Sequence, residues 1–291
     1  MSNDHWAIIV HGGARDILPR LQQVHRDGCL RAVSVGQAIL QAGGSALEAV
    51  EMAVRALEDD PTFNAGRGAV LNARGEVELD AAIMDGATLN VGGVAAVKTL
   101  RHPISVAASM LSETPVLLVA DGAEGFARDH GAEVCEAKDL TVKRPGDPGC
   151  DTVGCVALDR QGNVAAGTST GGLTGCHPGR VGDAPLPGCG LYADNAVGGV
   201  SLSGDGESLI RTTLAAHLMH SLEAMPPGAA IAAALTRLGR VGGEAGLIVI
   251  DADGRIDWGH NSAQFAVAHA SAGHPAQAFV HRAQDAQKDY P

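Results

Sequence analysis

Near the middle of the 291-residue chain stands Thr152, in the stretch Cys150-Asp151-Thr152-Val153-Gly154. A threonine hydroxyl is a weak nucleophile at neutral pH and needs a base beside it. A chain cut before Thr152 would supply that base itself, because a freed α-amine has a reference pKa of about 7.7–8.0. A second hydroxyl would polarise the first, and Thr170 follows eighteen residues later. That separation fits adjacent antiparallel strands joined by the turn Asp159-Arg160-Gln161-Gly162. Threonine is also an ordinary strand residue, so the pair alone is a weak signal.

Other motifs compete with it. Gly167-Thr168-Ser169-Thr170-Gly171 fits the G-x-S-x-G nucleophile elbow, which requires a strand, a sharp turn and then a helix. The residues from Gly172 to Arg180 are too rich in Gly and Pro for that helix, so Ser169 reads as a strand residue. Gly204-Asp205-Gly206 before a helical stretch could cradle an oxyanion on backbone amides, but no P-loop lysine accompanies it. Twelve histidines are scattered, and His217 and His220 share a predicted helix without a third ligand. Six cysteines form no C-x-x-C pair and read as reduced structural thiols.

The elements that must position these groups follow from hydrophobic period and turn residues. Trp6 to Val10 is a buried strand opening into the His11-Gly12-Gly13 loop. Helices are predicted over about 23–42 and from Ser45, whose capping-box partner is Glu48. Pro61 ends the second helix, and Asn64 to Gly68 form an irregular loop. Two strands then flank Ala73-Arg74-Gly75, and Val77, Leu79, Ala81 and Ile83 alternate as in a half-buried strand. A strand at 92–98, a helix after Pro103, a strand at Val116–Ala120 and a helix near 122–130 complete the first half. Residues 131–150 carry charge, prolines and glycines without period, and are expected to form a mobile linker.

After the Thr152 and Thr170 strands come a Gly/Pro loop over 171–190, a strand near 196–202 and one helix from Glu207 to about Glu223. A helix at about 228–239, a strand at Leu247–Ile250 and closing strands finish the chain. Strands and helices in blocks suggest antiparallel sheets covered by helices, an α+β fold, in a single domain.

Hydrophobic residues at 45%, only eight aromatics and 39 glycines indicate a globular core built on small side chains. The formal charge of −12 and the lack of clustered Lys and Arg argue against a nucleic-acid partner. No segment approaches the roughly 20 apolar residues that span a bilayer, and the N-terminus has no signal-peptide pattern. A soluble, cytoplasmic protein is expected.

Taken together, these residues resemble the Ntn-hydrolase family of plant-type L-asparaginases, also called isoaspartyl aminopeptidases or β-aspartyl peptidases. The similarity runs through ordered blocks: 11–14, 57–86, 151–159, 168–172, 179–195 and 203–208. It implies a four-layer αββα sandwich and a precursor that cleaves itself between Asp151 and Thr152, giving an α subunit of 1–151 and a β subunit of 152–291. It further implies hydrolysis of L-asparagine and β-aspartyl dipeptides through an ester on Thr152, in a homodimer of αβ units. By the same resemblance Thr170 polarises the nucleophile, Ser203 and Gly204 form the oxyanion hole, and Asn64 contacts the nucleophile region. Arg180 would take the substrate α-carboxylate, Asp183 its α-ammonium, and Gly206 would lie beside that amine. No cofactor is implied for catalysis. The main-chain carbonyls of Leu57, Glu58, Asp60, Phe63, Ala65 and Arg67 match a structural sodium loop.

The chain departs from the family pattern at Ser203, usually Thr, at Asp205, which adds a carboxylate beside the oxyanion loop, and at Arg67. The segment before Thr152 is also shorter than in many relatives. A glycosylasparaginase shares the Gly-Arg-Val-Gly-Asp block and the threonine junction, and an unprocessed, non-catalytic family member would keep the fold; both stand as alternatives.

Overall fold

The helices and strands begin where their local chemistry dictates. Ser45 caps α2 (Ala46–Asp59) by accepting from the Glu48 N–H at 3.1 Å, and prolines occupy the first turns of α3 (Pro103–Ser109) and α7 (Pro227–Leu238). A computed structural model describes residues 5–142 and 152–281. The first half runs β1 (Ala7–Arg15), α1 (Gln22–Gln41), α2, β2 (Leu79–Asp85), β3 (Val91–Val97), α3, β4 (Leu117–Val119) and α4 (Ala120–Asp129). The second half runs β5 (Thr152–Leu158), β6 (Val164–Thr170), β7 (Leu191–Asp194), β8 (Gly198–Gly204), α5 (Gly206–Thr212), α6 (Leu214–Leu222), α7, β9 (Ala245–Asp251), β10 (Ile256–His260), β11 (Gln264–Ser271) and β12 (His274–Phe279).

These strands form two sheets. The larger has the order β12-β11-β1-β5-β6-β2-β3-β4 and the smaller β10-β9-β8-β7. All pairings are antiparallel except β3 with β4, as expected for an α+β chain.

The two-residue period of the strands sorts their side chains onto separate cores. Ile8, Val10, Val153, Cys155 and Ala157 pack with Val33, Leu40, Val50 and Leu57 of α1 and α2. Ile9, Met84, Val156, Leu158 and Val164 pack instead with Leu191, Ile248 and Trp258 of the smaller sheet. Val200, Leu202, Leu247 and Val249 of that sheet meet Leu214, Leu218, Ile231 and Leu238 of α6 and α7.

Several expectations are corrected. Of the two strands expected to flank the Ala73–Gly75 turn only the later one, β2, forms, because Asn72 closes that turn with its side chain and the chain before it stays irregular. β2 is buried on both faces: Leu79 and Ala81 face one core while Ala82 and Met84 face the smaller sheet, so the half-buried expectation fails. The single helix expected from Glu207 is split at Thr213, a left-handed residue at φ 46°, ψ 53°. Residues 131–142 of the expected linker make contacts with the body: Glu133 O and Thr99 O accept from Arg101 and Cys135 N–H at 3.0 and 2.8 Å, and Leu140 is buried. The remainder of the expected linker, with the junction residue Asp151, lies outside the described residues. Among the described residues no helix is long and apolar enough to cross a membrane.

Candidate active site

The register of three strands builds the centre. Thr152 pairs directly with Thr170 across β5 and β6, and Thr170 pairs on its other side with Asp80 of β2. Direct antiparallel partners project to the same face. That face is the one that carries Val156, Val164 and Met84 toward the smaller sheet, so the two hydroxyls stand at the end of the groove between the sheets. Both threonines are buried. The expectation of an adjacent Thr152–Thr170 pair is therefore met in the geometry.

Ser169 points the other way. Its hydroxyl donates to Glu58 Oε1 at 2.7 Å, under α2, in a cluster that also takes the Ile104 N–H at 3.1 Å and faces His102 Nδ1 at 3.2 Å. Burial raises the Glu58 carboxyl above its ordinary range, opposed by His102 and Ser169. Ser169 thus anchors β6 to α2 and has no access to the groove.

The smaller sheet brings Ser203 and Gly204 to the same end. Ser203 is buried, and its hydroxyl accepts from the Ala14 N–H at 3.1 Å, which leaves its own proton free to donate. Gly204 lines a recess with Thr152, Thr170, Gly172, Leu173, Arg180, Gly182 and Asp183. The recess encloses about 10 Å³, room for about one water. Asp205, the carboxylate that departs from the family pattern, is exposed and engaged elsewhere: it accepts from the Glu244 N–H at 2.9 Å. It is turned to the Glu244 backbone rather than to Ser203 or Gly204.

Two charged side chains enter the recess from the loop after β6. Arg180 is largely buried and forms two 2.9 Å bonds, Nε to Glu207 Oε1 and Nη2 to Glu207 Oε2. Asp183 is buried, and its Oδ2 has no hydrogen-bond partner. Burial pushes the Asp183 carboxyl up to about 7; the nearby Arg180 charge opposes this, while Asp80 and Glu207 add to it. Asp80 is likewise raised by burial, to about 6, although it accepts from the Ala96 N–H at 2.8 Å. Such a pair of desolvated carboxylates beside one guanidinium suits a ligand carrying its own positive charge.

Asn64 acts on the turn that follows Thr170. Its side chain donates to Gly172 O at 2.7 Å and accepts from Val70 N–H at 3.0 Å, while its carbonyl accepts from Gly171 N–H at 2.8 Å. The loop expected to hold sodium curls tightly: Leu57, Asp60 and Ala65 carbonyls accept from Asp60, Phe63 and Gly68 N–H at 3.1–3.2 Å. Gly66, at φ 49°, brings the chain back until a Cβ there would lie 2.7 Å from Glu58 O. Arg67 is exposed and borders a shallow recess with Asp59 and Arg101, outside that curl.

A family model described as Asparaginase matches residues 4–145 and 138–280. The human isoaspartyl peptidase/L-asparaginase is 44% identical over 276 residues, covering 86% of this chain and 88% of its own. Proteins of the same description from Xenopus laevis and Bos taurus are 43% and 42% identical over 270 and 284 residues. They cover 86% and 90% of this chain and 87% and 92% of their own. The chain belongs to the asparaginase family.

In this asparaginase-family chain His11, from the block at 11–14, also stands at the groove, and Asp80 and Glu207, which the sequence did not single out, stand beside it. His11 sits opposite Gly154 in the β1–β5 register and meets Ser201 Oγ at 2.9 Å through Nε2. Burial lowers its imidazole to about 3, against a smaller raising effect of the Thr152 backbone, so it is neutral beside β5. Asp80 could have been found from its place in a strand, where an aspartate is unfavourable without a special role. Glu207 had no local signal beyond its position after Gly206. A cleft of about 390 Å³ between α2, α3 and the end of α4 lies apart from all of these groups. Its Arg55 is already bonded to Ser105 at 2.8 Å and Glu133 at 2.6 Å.

Proposed function

We propose that this chain is an autoprocessed amidohydrolase that releases L-aspartate from β-aspartyl dipeptides and from L-asparagine. The observation that carries the proposal is the Thr152–Thr170 pair in register, in one recess with Arg180, Asp183 and Gly204. The names of the relatives, isoaspartyl peptidase/L-asparaginase, support the same substrates.

Cleavage between Asp151 and Thr152 frees the Thr152 α-amine. That amine takes the hydroxyl proton as the oxygen attacks the side-chain amide carbonyl, and Thr170 polarises the hydroxyl. The tetrahedral oxyanion is held by the Ser203 hydroxyl and the Gly204 N–H. Collapse breaks the C–N bond, and the leaving amine departs with the proton now on the Thr152 ammonium. The leaving group is ammonia from asparagine, or the next residue's amine from a dipeptide. Water, deprotonated by the same α-amine, then opens the β-aspartyl ester. Arg180 and Asp183 bind the substrate α-carboxylate and α-ammonium, with Gly206 beside them and Asn64 steadying the turn after Thr170.

The rest of the family pattern belongs to the same proposal. The packing of α1 and α2 on the larger sheet, that sheet on the smaller one, and α6 and α7 outside it supports a four-layer αββα sandwich. The curled carbonyls of residues 57–67, each with a lone pair left over, suit a hard cation such as sodium. Assembly as a homodimer of αβ units in the cytoplasm completes it.

Intact mass after purification tests the centre of the proposal. Two fragments starting at Met1 and Thr152 are expected from the wild-type chain, a single species from Thr152→Ala, and hydrolysis of β-aspartyl-leucine only from the former. An uncut wild type with full activity would refute it.

A further inference from the structure

We propose that Glu207 is a positioning residue for substrate recognition: it grips one edge of the Arg180 guanidinium and so presents the other edge to the recess. This rests on the proposed function above, in which Arg180 takes a substrate carboxylate.

A guanidinium offers two edges to a carboxylate fork, Nε with Nη2 and Nη1 with Nη2. Glu207 occupies the first with two bonds of equal length, 2.9 Å each. The second edge lies over glycine. A Cβ at Gly182 would stand 2.8 Å from Nη1, and one at Gly206 would stand 2.7 Å from Nη2 and 2.9 Å from Asp183 Oδ1. The unclaimed edge and the carboxylate with an unpartnered oxygen therefore meet at one corner, where both poles of an α-amino acid could be held together. Glu207 itself does not line the recess, and its side chain is 64% exposed against 15% for Arg180. It acts from behind, through Arg180.

The charges explain why a grip is needed. Arg180 also feels the two buried carboxylates Asp183 and Asp80. Left to them, the long and freely rotating arginine would turn inward and cover Asp183 with its own positive charge. A fork from Glu207 opposes that pull and keeps Asp183 available for the substrate ammonium. The opposite role, in which Glu207 competes with the substrate for Arg180, would require it to sit on the edge that faces the recess.

The test uses the processed full chain and its Glu207→Ala, Glu207→Gln and Glu207→Asp variants. Removing a charge-assisted fork should raise KM for β-aspartyl-leucine roughly 10- to 100-fold, with kcat within about 2-fold of wild type. Aspartate should partly rescue KM, and cutting before Thr152 should proceed as in wild type. Adding Glu207→Ala to Arg180→Ala should change nothing further, because the effect runs through the guanidinium. An unchanged KM would overturn the proposal, and a lowered one would mark Glu207 as a competitor. L-Aspartate binding measured by calorimetry gives a second readout. If the cut wild-type chain hydrolysed no dipeptide, the functional reading would fail, and a 10- to 100-fold weaker aspartate affinity in Glu207→Ala, or its absence, would still decide Glu207.

Discussion

Asp183 concentrates the electrostatic tension of the recess in one carboxyl group. Its folded pKa of about 7 stands well above the ordinary 3.8, chiefly through burial. Protonation is therefore favoured by folding: the stabilising contribution is complete below pH 3.8 and is lost as pH rises through about 7. Binding has the opposite demand, because only the ionised group pairs with an α-ammonium. We expect L-aspartate affinity to weaken by roughly tenfold per pH unit below about 7. In Asp183→Asn the affinity should be low throughout and nearly independent of pH between 5 and 7. Calorimetric titrations at three pH values check this, and an unchanged pH dependence in the variant would show that Asp183 is not the titrating group. At Asp205 the same scale gives the reverse lesson. The carboxylate that the sequence places beside the Ser203-Gly204 loop is exposed and bonded to the Glu244 backbone.

At the scale of elements, the join between α5 and α6 matters because α5 begins with Gly206 and Glu207. Thr213 ends α5 in the left-handed region, where a β-branched residue costs on the order of 1–2 kcal/mol. Contacts from outside impose the break: Arg237 Nε donates to Thr212 O at 3.1 Å and Ala216 N–H to Gly188 O at 2.9 Å. Thr213→Gly should relieve the strain and stabilise the chain by about 1 kcal/mol in a urea denaturation, with dipeptide KM unchanged. A destabilised variant would mean that the Thr213 side chain earns its conformation. This break was invisible in the run Arg211 to His217, which has neither Gly nor Pro, because its cause lies 24 residues away or more. The α2 start was legible because its cap is local, Ser45 to Glu48. So was the Thr152–Thr170 pair, since a four-residue turn fixes the register of the hairpin. Asp80 reaches Thr170 across 90 positions, and Arg180 reaches Glu207 across 27. Such meetings are decided by sheet order and loop path, which residue period does not encode.

The whole molecule interleaves the two halves that cleavage at Thr152 would create. In the larger sheet β1 lies between β11 and β5, and β2 lies against β6, so strands from before residue 152 pair with strands from after it along three seams. The cores repeat the pattern: Val33, Val50 and Leu57 from the first half pack with Val153, Cys155 and Ala268 from the second. Separating the halves would expose three ladders of backbone donors and acceptors as well as those side chains, each large one worth roughly 1.5–3 kcal/mol when buried. Cutting one peptide bond removes none of these contacts, and it frees the amine where the proposed chemistry needs it. The cut chain should therefore behave as one particle. On size exclusion in native buffer the two fragments should co-elute at the volume of the uncut Thr152→Ala chain, and they should part only when urea unfolds both together. Fragments that separated in native buffer would show that the seams do not hold, and Thr170 would then lose Asp80, its strand partner from the other half.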